Sequence, residues 1–228
     1  MTKAVLFDID GTLIDSTYHH ALAWHRAFGR HSVDIPSRLD IPFWRIHRAI
    51  GMGGDRLVAH VADEATEERL GDSLRDAWRA EYLTIRSEVR PLAGAADLIG
   101  RLQEDGFVVA LASSGDPQFA REAVEMLGIG TRLAALVTSE DVDGSKPEPD
   151  LIEETLRRLG GIDGAIFVGD TVYDVESAER AGLKCVALRS GGFGEQELLD
   201  AGAVLVADSP TDLAELDWPE LMSAPRAT

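Results

Sequence analysis

The pattern of hydrophobic and polar positions changes near residue 90 of the chain. Beyond it, short apolar runs of strand length alternate with segments in which apolar residues recur every three or four positions, as on one face of a helix. The strand-like runs are AVLF at 4–7 and the segments 107–112, 136–138, 165–168, 184–188 and 204–206. Alternating strands and helices are typical of a parallel sheet covered by helices on both faces, so the pattern predicts a Rossmann-like α/β fold.

Residues 16–89 interrupt this alternation, because they carry helical spacing and no convincing strand. The helices are marked by three apolar stripes: Ala21, Trp24 and Phe28; Leu57, Val58 and Val61; and Leu74, Trp78, Tyr82, Ile85 and Val89. We therefore expect an inserted all-α domain at 16–89 within a core formed by 1–15 and 90–228. The insert leaves and re-enters the same sheet, so its two ends should be adjacent. The tail, 219–228, is expected to fray.

Composition narrows the range of partners. The 228 residues include 40 acidic and 22 basic ones, a formal net charge of −18, which repels nucleic acids and anionic membranes. Cys185 is the only cysteine, so a disulfide within the chain is excluded and a reducing compartment is favoured. No apolar run approaches membrane-spanning length, and no secretory signal precedes the first strand. These features predict a soluble cytoplasmic protein without nucleic-acid or membrane partners. The sequence does not distinguish a monomer from a homodimer.

Four acidic residues occupy corresponding places at the ends of two predicted strands. Asp8 and Asp10 end the first strand, two positions apart and therefore on one side, and Asp170 and Asp174 follow the strand at 165–168. The carboxyl ends of parallel strands meet at one edge of the sheet, where such folds bind their ligands. Converging carboxylates repel one another without a cation or a shared proton, and four of them at one edge predict a site for a hard cation such as Mg²⁺. For a single acid, capping of the following helix is an equally good explanation.

Hydroxyl and amino groups at the same edge extend this prediction. Ser113 and Ser114 follow the second predicted strand, and Lys146 stands in the loop SKPEPD before a helix. Together with backbone amides freed by Gly11 and Thr12, these groups would bind a phosphoryl group whose remaining charge Mg²⁺ neutralises. Taken singly, Ser-Ser-Gly is typical of a turn, and a lysine before proline is typical of a solvated loop.

Four segments in order, FDIDGTL, LASS, SKPEPD and VGDTVYD, resemble the four motifs of the haloacid dehalogenase superfamily of phosphohydrolases. The match spans nearly the whole chain and agrees in order, strand context and residue type. A helical insert directly after the first motif further resembles the subfamily of phosphoglycolate phosphatases and β-phosphoglucomutases. The insert of that subfamily is a mobile cap over the active site, so the resemblance implies a haloacid-dehalogenase-like core carrying a cap at 16–89.

The resemblance implies a division of roles among the acids. Asp8 would be the nucleophile that attacks phosphorus and forms an aspartyl-phosphate intermediate. Asp10 would protonate the leaving oxygen and later take a proton from the hydrolytic water. The backbone carbonyl of Asp10 would join the side chains of Asp8 and Asp170 around Mg²⁺. Asp174, the last acid of the fourth motif, would order either the water shell of the metal or Lys146.

The same resemblance assigns the groups that hold the phosphoryl oxygens. Ser113 and Lys146 would bind these oxygens as charge develops in the transition state. Ser114 is a weaker candidate for the same role. Gly11 and Thr12 would turn the chain so that their amides face the phosphoryl group.

Substrate choice is expected to come from the cap. The glycine-rich segment HRAIGMGGDR, residues 47–56, would approach the substrate closely, with Arg48 and Arg56 near its negative charge. A glycine-rich connection between two helices, with solvated arginines, explains this segment equally well. The stretch DSTYHHALAW at the start of the insert is similar to that of β-phosphoglucomutases, which makes His20 a further candidate for substrate binding.

Single positions favour a phosphatase over other activities of the superfamily. Dehalogenation needs no acid two residues after the nucleophile, so Asp10 indicates an oxygen leaving group. β-Phosphoglucomutases carry two adjacent acids where this chain has Gly169 and Asp170, and often an aliphatic residue in place of Thr12. The leading hypothesis is a Mg²⁺-dependent phosphatase for a small phosphorylated metabolite of the phosphoglycolate or sugar-phosphate type. A phosphosugar mutase and, more distantly, a phospho-aspartate signalling module remain alternatives.

Overall fold

The chain divides into two compact units, one of them inserted into the other. The structure, a computed structural model, describes residues 2–31 and 41–223. The first unit comprises Met1–Asp15 together with Pro91–Thr228, and the second comprises Ser16–Arg90. The roles of a catalytic core and a cap, which the sequence predicts for such a division, stay predictions.

The first unit is built on a six-stranded parallel sheet of order β3-β2-β1-β4-β5-β6. The strands are β1 (Lys3–Phe7), β2 (Val108–Ala112), β3 (Ala135–Val137), β4 (Gly164–Gly169), β5 (Lys184–Leu188) and β6 (Leu205–Ala207). Each of the predicted strands is present, with ends shifted by at most one residue, and the predicted parallel α/β fold is confirmed. Nearly continuous apolar runs form these strands because both faces of a parallel sheet are buried.

Helices and short 3₁₀ turns connect the strands of the first unit. The helices are α5 (Ala95–Glu104), α6 (Pro117–Leu127), α7 (Asp150–Leu159), α8 (Val172–Arg180), α9 (Glu195–Asp200) and α10 (Trp218–Ser223). The 3₁₀ turns of this unit are Gly130–Arg132, Ser139–Asp141, Arg189–Gly191 and Pro210–Leu213. Helices α5, α7, α8 and α9 pack on the strands. Because all strands run parallel, their carboxyl ends lie at one edge of the sheet.

Helix α10 corrects the expectation of a frayed tail. The Lys184 ammonium donates to the carbonyl oxygens of Leu221 and Met222, at 2.7 and 2.9 Å, and thereby satisfies the free end of this helix. Trp218 is buried at its start. The prediction was wrong for 219–223, because one buried tryptophan and one lysine from β5 hold the segment. Residues 224–228 lie outside the described residues.

The second unit contains only helical elements among its described residues. They are α1 (Thr17–His31), α2 (Phe43–His47), α3 (Gly54–Val61), α4 (Glu64–Ile85) and a 3₁₀ turn at Arg86–Glu88. The first two predicted apolar stripes and Leu74 of the third belong to one buried cluster, and Trp78 packs against it. Tyr82, Ile85 and Val89 of the third stripe are buried but lie outside this cluster. Within the described part of the chain, no helix combines the length and the apolar character needed to cross a membrane.

The two ends of the insert are adjacent, as predicted. Ile14 pairs with Pro91 in an antiparallel bridge, and the amide of Leu92 donates to the carbonyl of Leu13 at 2.9 Å. Asp15, the third acid of the first motif, is exposed just beyond this pairing. The chain therefore leaves and re-enters the first unit at a single place.

Candidate active site

Three loops that follow central strands meet at the edge of the sheet where the strand order reverses. From β1 the chain continues to β2 on one side, while β4 lies on the other side, so this edge is the topological switch point at which α/β sheets bind ligands. Strand β1 ends at Phe7, one residue before Asp8, whose amide still donates to the carbonyl of Val168 at 2.9 Å. Asp8 and Asp10 therefore lie beyond the strand rather than within it, which corrects their predicted placement.

A tight turn follows Asp10 and determines where its amides point. Gly11 has a φ of +80°, which a residue without Cβ adopts freely. Its amide donates to the carbonyl of Ile14 at 2.8 Å, and the amide of Thr12 donates to that of Ile9 at 3.3 Å. The prediction that these two amides face a phosphoryl group is therefore wrong, because the turn closes upon itself and uses both.

The side chain of Thr12 contacts the fourth motif. Its hydroxyl donates to Oδ1 of Asp170 at 2.9 Å, and both residues are completely buried. The other carboxylate oxygen, Oδ2 of Asp170, is buried and has no hydrogen-bond partner within the described residues. An unpartnered buried carboxylate oxygen is costly unless a cation accompanies it.

Lys146 lies at the centre of the cluster. Its Nζ atom forms ion pairs with Oδ1 of Asp8 and, at 2.8 Å, with Oδ1 of Asp174. Only 1% of its surface is exposed, and the ring of Phe167 lies 5.3 Å from Nζ. The loop before α7 thus carries a lysine into the interior, where two carboxylates compensate its charge.

Asp174 contacts Lys146 and also caps the start of α8. Its Oδ2 atom accepts the amides of Asp170 and Thr171 at 3.2 and 3.0 Å and the Thr171 hydroxyl at 2.7 Å. The Thr171 hydroxyl in turn accepts the amide of Asp174, which completes a capping box. Of the two roles predicted for Asp174, ordering of Lys146 is the one that has a contact in the structure.

Three of the predicted metal ligands meet in a geometry that suits a divalent cation. Asp8, Asp170 and Asp174 each present a carboxylate oxygen, and these oxygens lie within 4.8 Å of one another. Mg²⁺ prefers carboxylate oxygens of this kind, and the unpartnered oxygen of Asp170 supplies one. The fourth predicted ligand, Asp10, was expected to contribute its carbonyl and lies outside this carboxylate group. The donor set therefore fits the metal that the motifs imply.

Burial and like charge shift the acid–base equilibria of the cluster. The pKa of Asp8 is raised from 3.8 to about 7, mainly by burial; Lys146 lowers it, while Asp174 and Asp10 raise it further. Burial, Asp174 and Asp8 also raise the pKa of Asp170. Burial lowers the pKa of Lys146, but Asp174 and Asp8 outweigh that effect, so its pKa is raised overall. Lys146 thus stays charged, but its charge does not cancel the rise in carboxyl pKa that burial and the repulsion between carboxylates cause.

The loop after β2 brings Ser113 and Asp10 to the same glycine. The Ser113 hydroxyl accepts the amide of Gly115 at 3.0 Å, and a Cβ at Gly115 would lie 3.1 Å from that hydroxyl and from Oδ2 of Asp10. The hydroxyl of Ser114 is buried and has no hydrogen-bond partner among the described residues. Ser139 holds the loop from the other side by donating to the Gly115 carbonyl at 2.9 Å. Ser113 therefore lies next to the same loop glycine as Asp10, and its part in binding a phosphoryl group stays a prediction.

Two residues at this edge were not predicted from the sequence. The hydroxyl of Ser190 donates to the carbonyl of Gly11, and a Cβ at Gly191 would overlap the carboxylate of Asp170. Ser190 and Gly191 lie two and three residues after the end of β5, the strand next to β4 in the sheet. The one available signal was Ser-Gly-Gly after a predicted strand, which is also typical of an ordinary turn.

The candidate residues of the second unit lie in two different settings. His20 is buried, and its ring stacks on Tyr82 with 4.1 Å between centroids. Arg48 follows α2 and Arg56 lies on α3, both partly buried. Gly51, with a φ of +108°, makes the turn between these helices. A part in substrate binding stays a prediction for all three side chains.

Comparison with known proteins identifies the family of this chain. The family model described as haloacid dehalogenase-like hydrolase matches residues 2–182. Validoxylamine A 7′-phosphate phosphatase from Streptomyces hygroscopicus subsp. limoneus is 30% identical, covering 97% of this chain and 99% of its own. Phosphoglycolate phosphatase from Rhodospirillum rubrum is also 30% identical, covering 96% and 91% respectively.

A solved structure is also similar to this chain. The crystal structure of a hydrolase from Pseudomonas syringae superimposes with a TM-score of 0.85 at 30% identity, covering 93% of this chain and 96% of the other. The family match includes the segments that carry Asp8, Ser113, Lys146 and Asp170. The chain belongs to the haloacid dehalogenase-like hydrolases.

Proposed function

We propose that the protein is a Mg²⁺-dependent phosphatase that hydrolyses a small phosphorylated metabolite through an aspartyl-phosphate on Asp8. The observation that carries the proposal is the buried cluster in which Asp8 faces Lys146. Beside them lies an oxygen of Asp170 that has no hydrogen-bond partner in the described part of the chain. The relatives named as phosphatases support hydrolysis of a phosphate monoester. Their different named substrates favour the general class, phosphorylated metabolites, over any one compound.

In the proposed mechanism, Asp8 and Asp10 divide the work. A carboxylate oxygen of Asp8 attacks phosphorus, the bond from phosphorus to the leaving oxygen breaks, and Asp10 gives its proton to that oxygen. Water then attacks the aspartyl-phosphate, its proton passes to Asp10, and phosphate leaves with Asp8 restored. The half-buried position of Asp10 next to Gly115 supports this role, because it lies at the edge of the cluster rather than within it.

The remaining residues hold charge and position. Lys146 orients Asp8 and offsets negative charge, and the Ser113 hydroxyl would bind a phosphoryl oxygen. Bound Mg²⁺, held by Asp8, Asp170 and the carbonyl of Asp10, would supply the additional positive charge that the phosphoryl group requires. Asp174 keeps Lys146 and the loop of Asp170 in place through its contacts.

Steric space at Gly169 favours a phosphatase over a mutase. A Cβ at this position would lie 2.8 Å from Oδ2 of Asp174 and closer still to its Cβ and Cγ atoms. An acidic side chain at 169, as in the pair of adjacent acids of the mutases, would therefore displace Asp174 and disrupt the capping box that depends on it. The fourth motif of this chain suits glycine at 169, in keeping with hydrolysis.

The test compares Asp8→Asn with Asp15→Asn, an exposed acid of the same motif. Release of inorganic phosphate is measured from an aryl phosphate, phosphoglycolate and a set of sugar phosphates, with Mg²⁺ or with chelator. We expect the parent and Asp15→Asn to release phosphate with Mg²⁺ only, and Asp8→Asn to release none. Activity that survives in Asp8→Asn or in chelator would contradict the mechanism, and isomerised sugar phosphate without free phosphate would indicate the mutase.

A further inference from the structure

The loop after β5 contacts the turn of the first motif. This loop begins with the 3₁₀ turn Arg189–Gly191, and the Ser190 hydroxyl donates to the carbonyl of Gly11, 179 residues earlier in the chain. The carbonyl of Gly11 belongs to the same peptide group as the amide of Thr12. A hydrogen bond to that carbonyl therefore sets the orientation of the residue whose hydroxyl holds Asp170.

The next residue of the loop packs on Asp170 itself. A Cβ at Gly191 would overlap the unpartnered Oδ2 atom and lie 2.9 Å from Cγ of Asp170. The φ of Gly191 is not positive, so the requirement for glycine here is one of space and not of backbone conformation. Any side chain at 191 would push the Asp170 carboxylate out of its place.

These contacts close a ring around Asp170. Ser190 holds Gly11, Thr12 holds Oδ1 of Asp170, and Gly191 bounds Oδ2. We infer that Ser190 and Gly191 are positioning residues of the active site, which fix the first-motif turn and the Asp170 carboxylate relative to each other. The inference rests on the proposed function for its catalytic consequence, since Asp170 is the proposed cation ligand.

The loop has anchors of its own that do not involve the cluster. Phe193 is buried and meets the ring of Tyr173 edge-on, with 6.3 Å between centroids. On the solvent side, Arg189 forms an ion pair with Asp208 at 2.8 Å. Because the loop is anchored elsewhere, it can fix the position of the Asp170 carboxylate. A loop held only by its contact with Asp170 would move together with that side chain.

The test uses Ser190→Ala, Ser190→Thr and Gly191→Ala, with Gly194→Ala as the matched control. Gly194 lies in the same loop, and a Cβ there would meet no atom of the described residues within 4 Å. Binding of Mn²⁺ without substrate is measured by electron paramagnetic resonance, and kcat and KM are measured on an aryl phosphate. Circular dichroism verifies the fold of each variant. Partners that orient metal ligands typically contribute about 10- to 100-fold to metal affinity.

We expect Gly191→Ala and Ser190→Ala to weaken Mn²⁺ binding within that range and to lower kcat with little change in KM. Ser190→Thr, which retains a hydroxyl, and Gly194→Ala should both bind Mn²⁺ as the parent does. Unchanged Mn²⁺ affinity in a folded Gly191→Ala protein would overturn the inference. Since binding is measured without turnover, a parent that binds Mn²⁺ yet hydrolyses nothing refutes the proposed function alone.

Hydrogen exchange supplies a readout that needs neither metal nor activity. Amides of residues 9–14 should exchange faster in Ser190→Ala than in the parent, because the turn loses the bond that holds the Gly11 carbonyl. Ser190→Thr and Gly194→Ala should leave this exchange unchanged. Equal exchange in Ser190→Ala and the parent would show that Ser190 does not position the turn, whatever the protein binds or hydrolyses.

Discussion

Replacing Asp8 by asparagine should stabilise the metal-free protein at neutral and alkaline pH. Asp8 is only 5% exposed, and its pKa is raised from 3.8 to about 7 by burial and by Asp174 and Asp10, against the opposing effect of Lys146. Asparagine has nearly the same shape and does not ionise. In the variant, Lys146 keeps its ion pair with Asp174, so no buried cation is left uncompensated.

The sign and size of the effect follow from proton linkage. The pKa of Asp8 is 3.8 in the unfolded state and about 7 in the folded state, so between these pH values the folded state binds the Asp8 proton more tightly. The free energy of unfolding therefore falls as pH rises from 3.8 towards 7 and levels off above that. The full difference corresponds to roughly 4 kcal/mol, of which about 3 kcal/mol develops between pH 5 and pH 8. Asp8→Asn lacks this loss.

Urea unfolding followed by circular dichroism, at pH 5 and pH 8 in chelator, measures the effect. The stability advantage of Asp8→Asn over the parent should grow by about 3 kcal/mol between the two conditions, while exposed Asp15→Asn shows no such change. Added Mg²⁺ should stabilise the parent more than Asp8→Asn at pH 8. An advantage that is equal at both pH values, or a variant less stable than the parent at pH 8, would refute the reasoning.

Three further outcomes are expected from the same cluster. Lys146→Met leaves the carboxylates of Asp8 and Asp174 without their cation and should lower the free energy of unfolding by about 3–5 kcal/mol at pH 8. Urea unfolding should show a smaller decrease at pH 5, and equal decreases at both pH values would argue against the ion pairs of Lys146. Thr12→Val removes the donor to Oδ1 of Asp170 and should weaken Mn²⁺ binding about 10-fold, as measured by electron paramagnetic resonance. An affinity equal to that of the parent would show that the Thr12 hydroxyl does not orient Asp170 for metal binding. Gly169→Ala should lower the melting temperature because its Cβ would overlap Asp174. Gly164→Ala should not lower it, because no atom of the described residues lies within 4 Å of a Cβ there, and equal melting temperatures would contradict the packing at 169.

Patterns that repeat along the chain allowed the fold and the acidic cluster to be predicted. Strand ends at one sheet edge bring Asp8 and Asp170 together whatever the details of the loops, because parallel topology determines that edge. The predicted role of the Gly11 and Thr12 amides failed because hydrogen bonds inside the turn at 9–14 depend on local closure, which residue types alone do not specify.

Contacts between distant loops could not be predicted. Ser190 and Gly11 are joined by one hydrogen bond across the sheet, and no periodicity or spacing connects them in the sequence. Helix α10 was missed for the same reason, since its carbonyls are satisfied by Lys184 from a strand and not by a local capping residue. Single long-range contacts carry too little sequence signal to be read from one chain.

The pairing of Ile14 with Pro91 has a thermodynamic consequence for the length of the insert. Because the two crossing segments are hydrogen-bonded side by side, the separation that any inserted chain must span is set by the first unit alone. Loop-closure entropy grows only with the logarithm of length, so each doubling of an unstructured insert would add only about 0.6 kcal/mol. The sheet can therefore host inserts of very different size at this junction, which makes it a place where substrate range can diverge while the chemistry of the edge is kept.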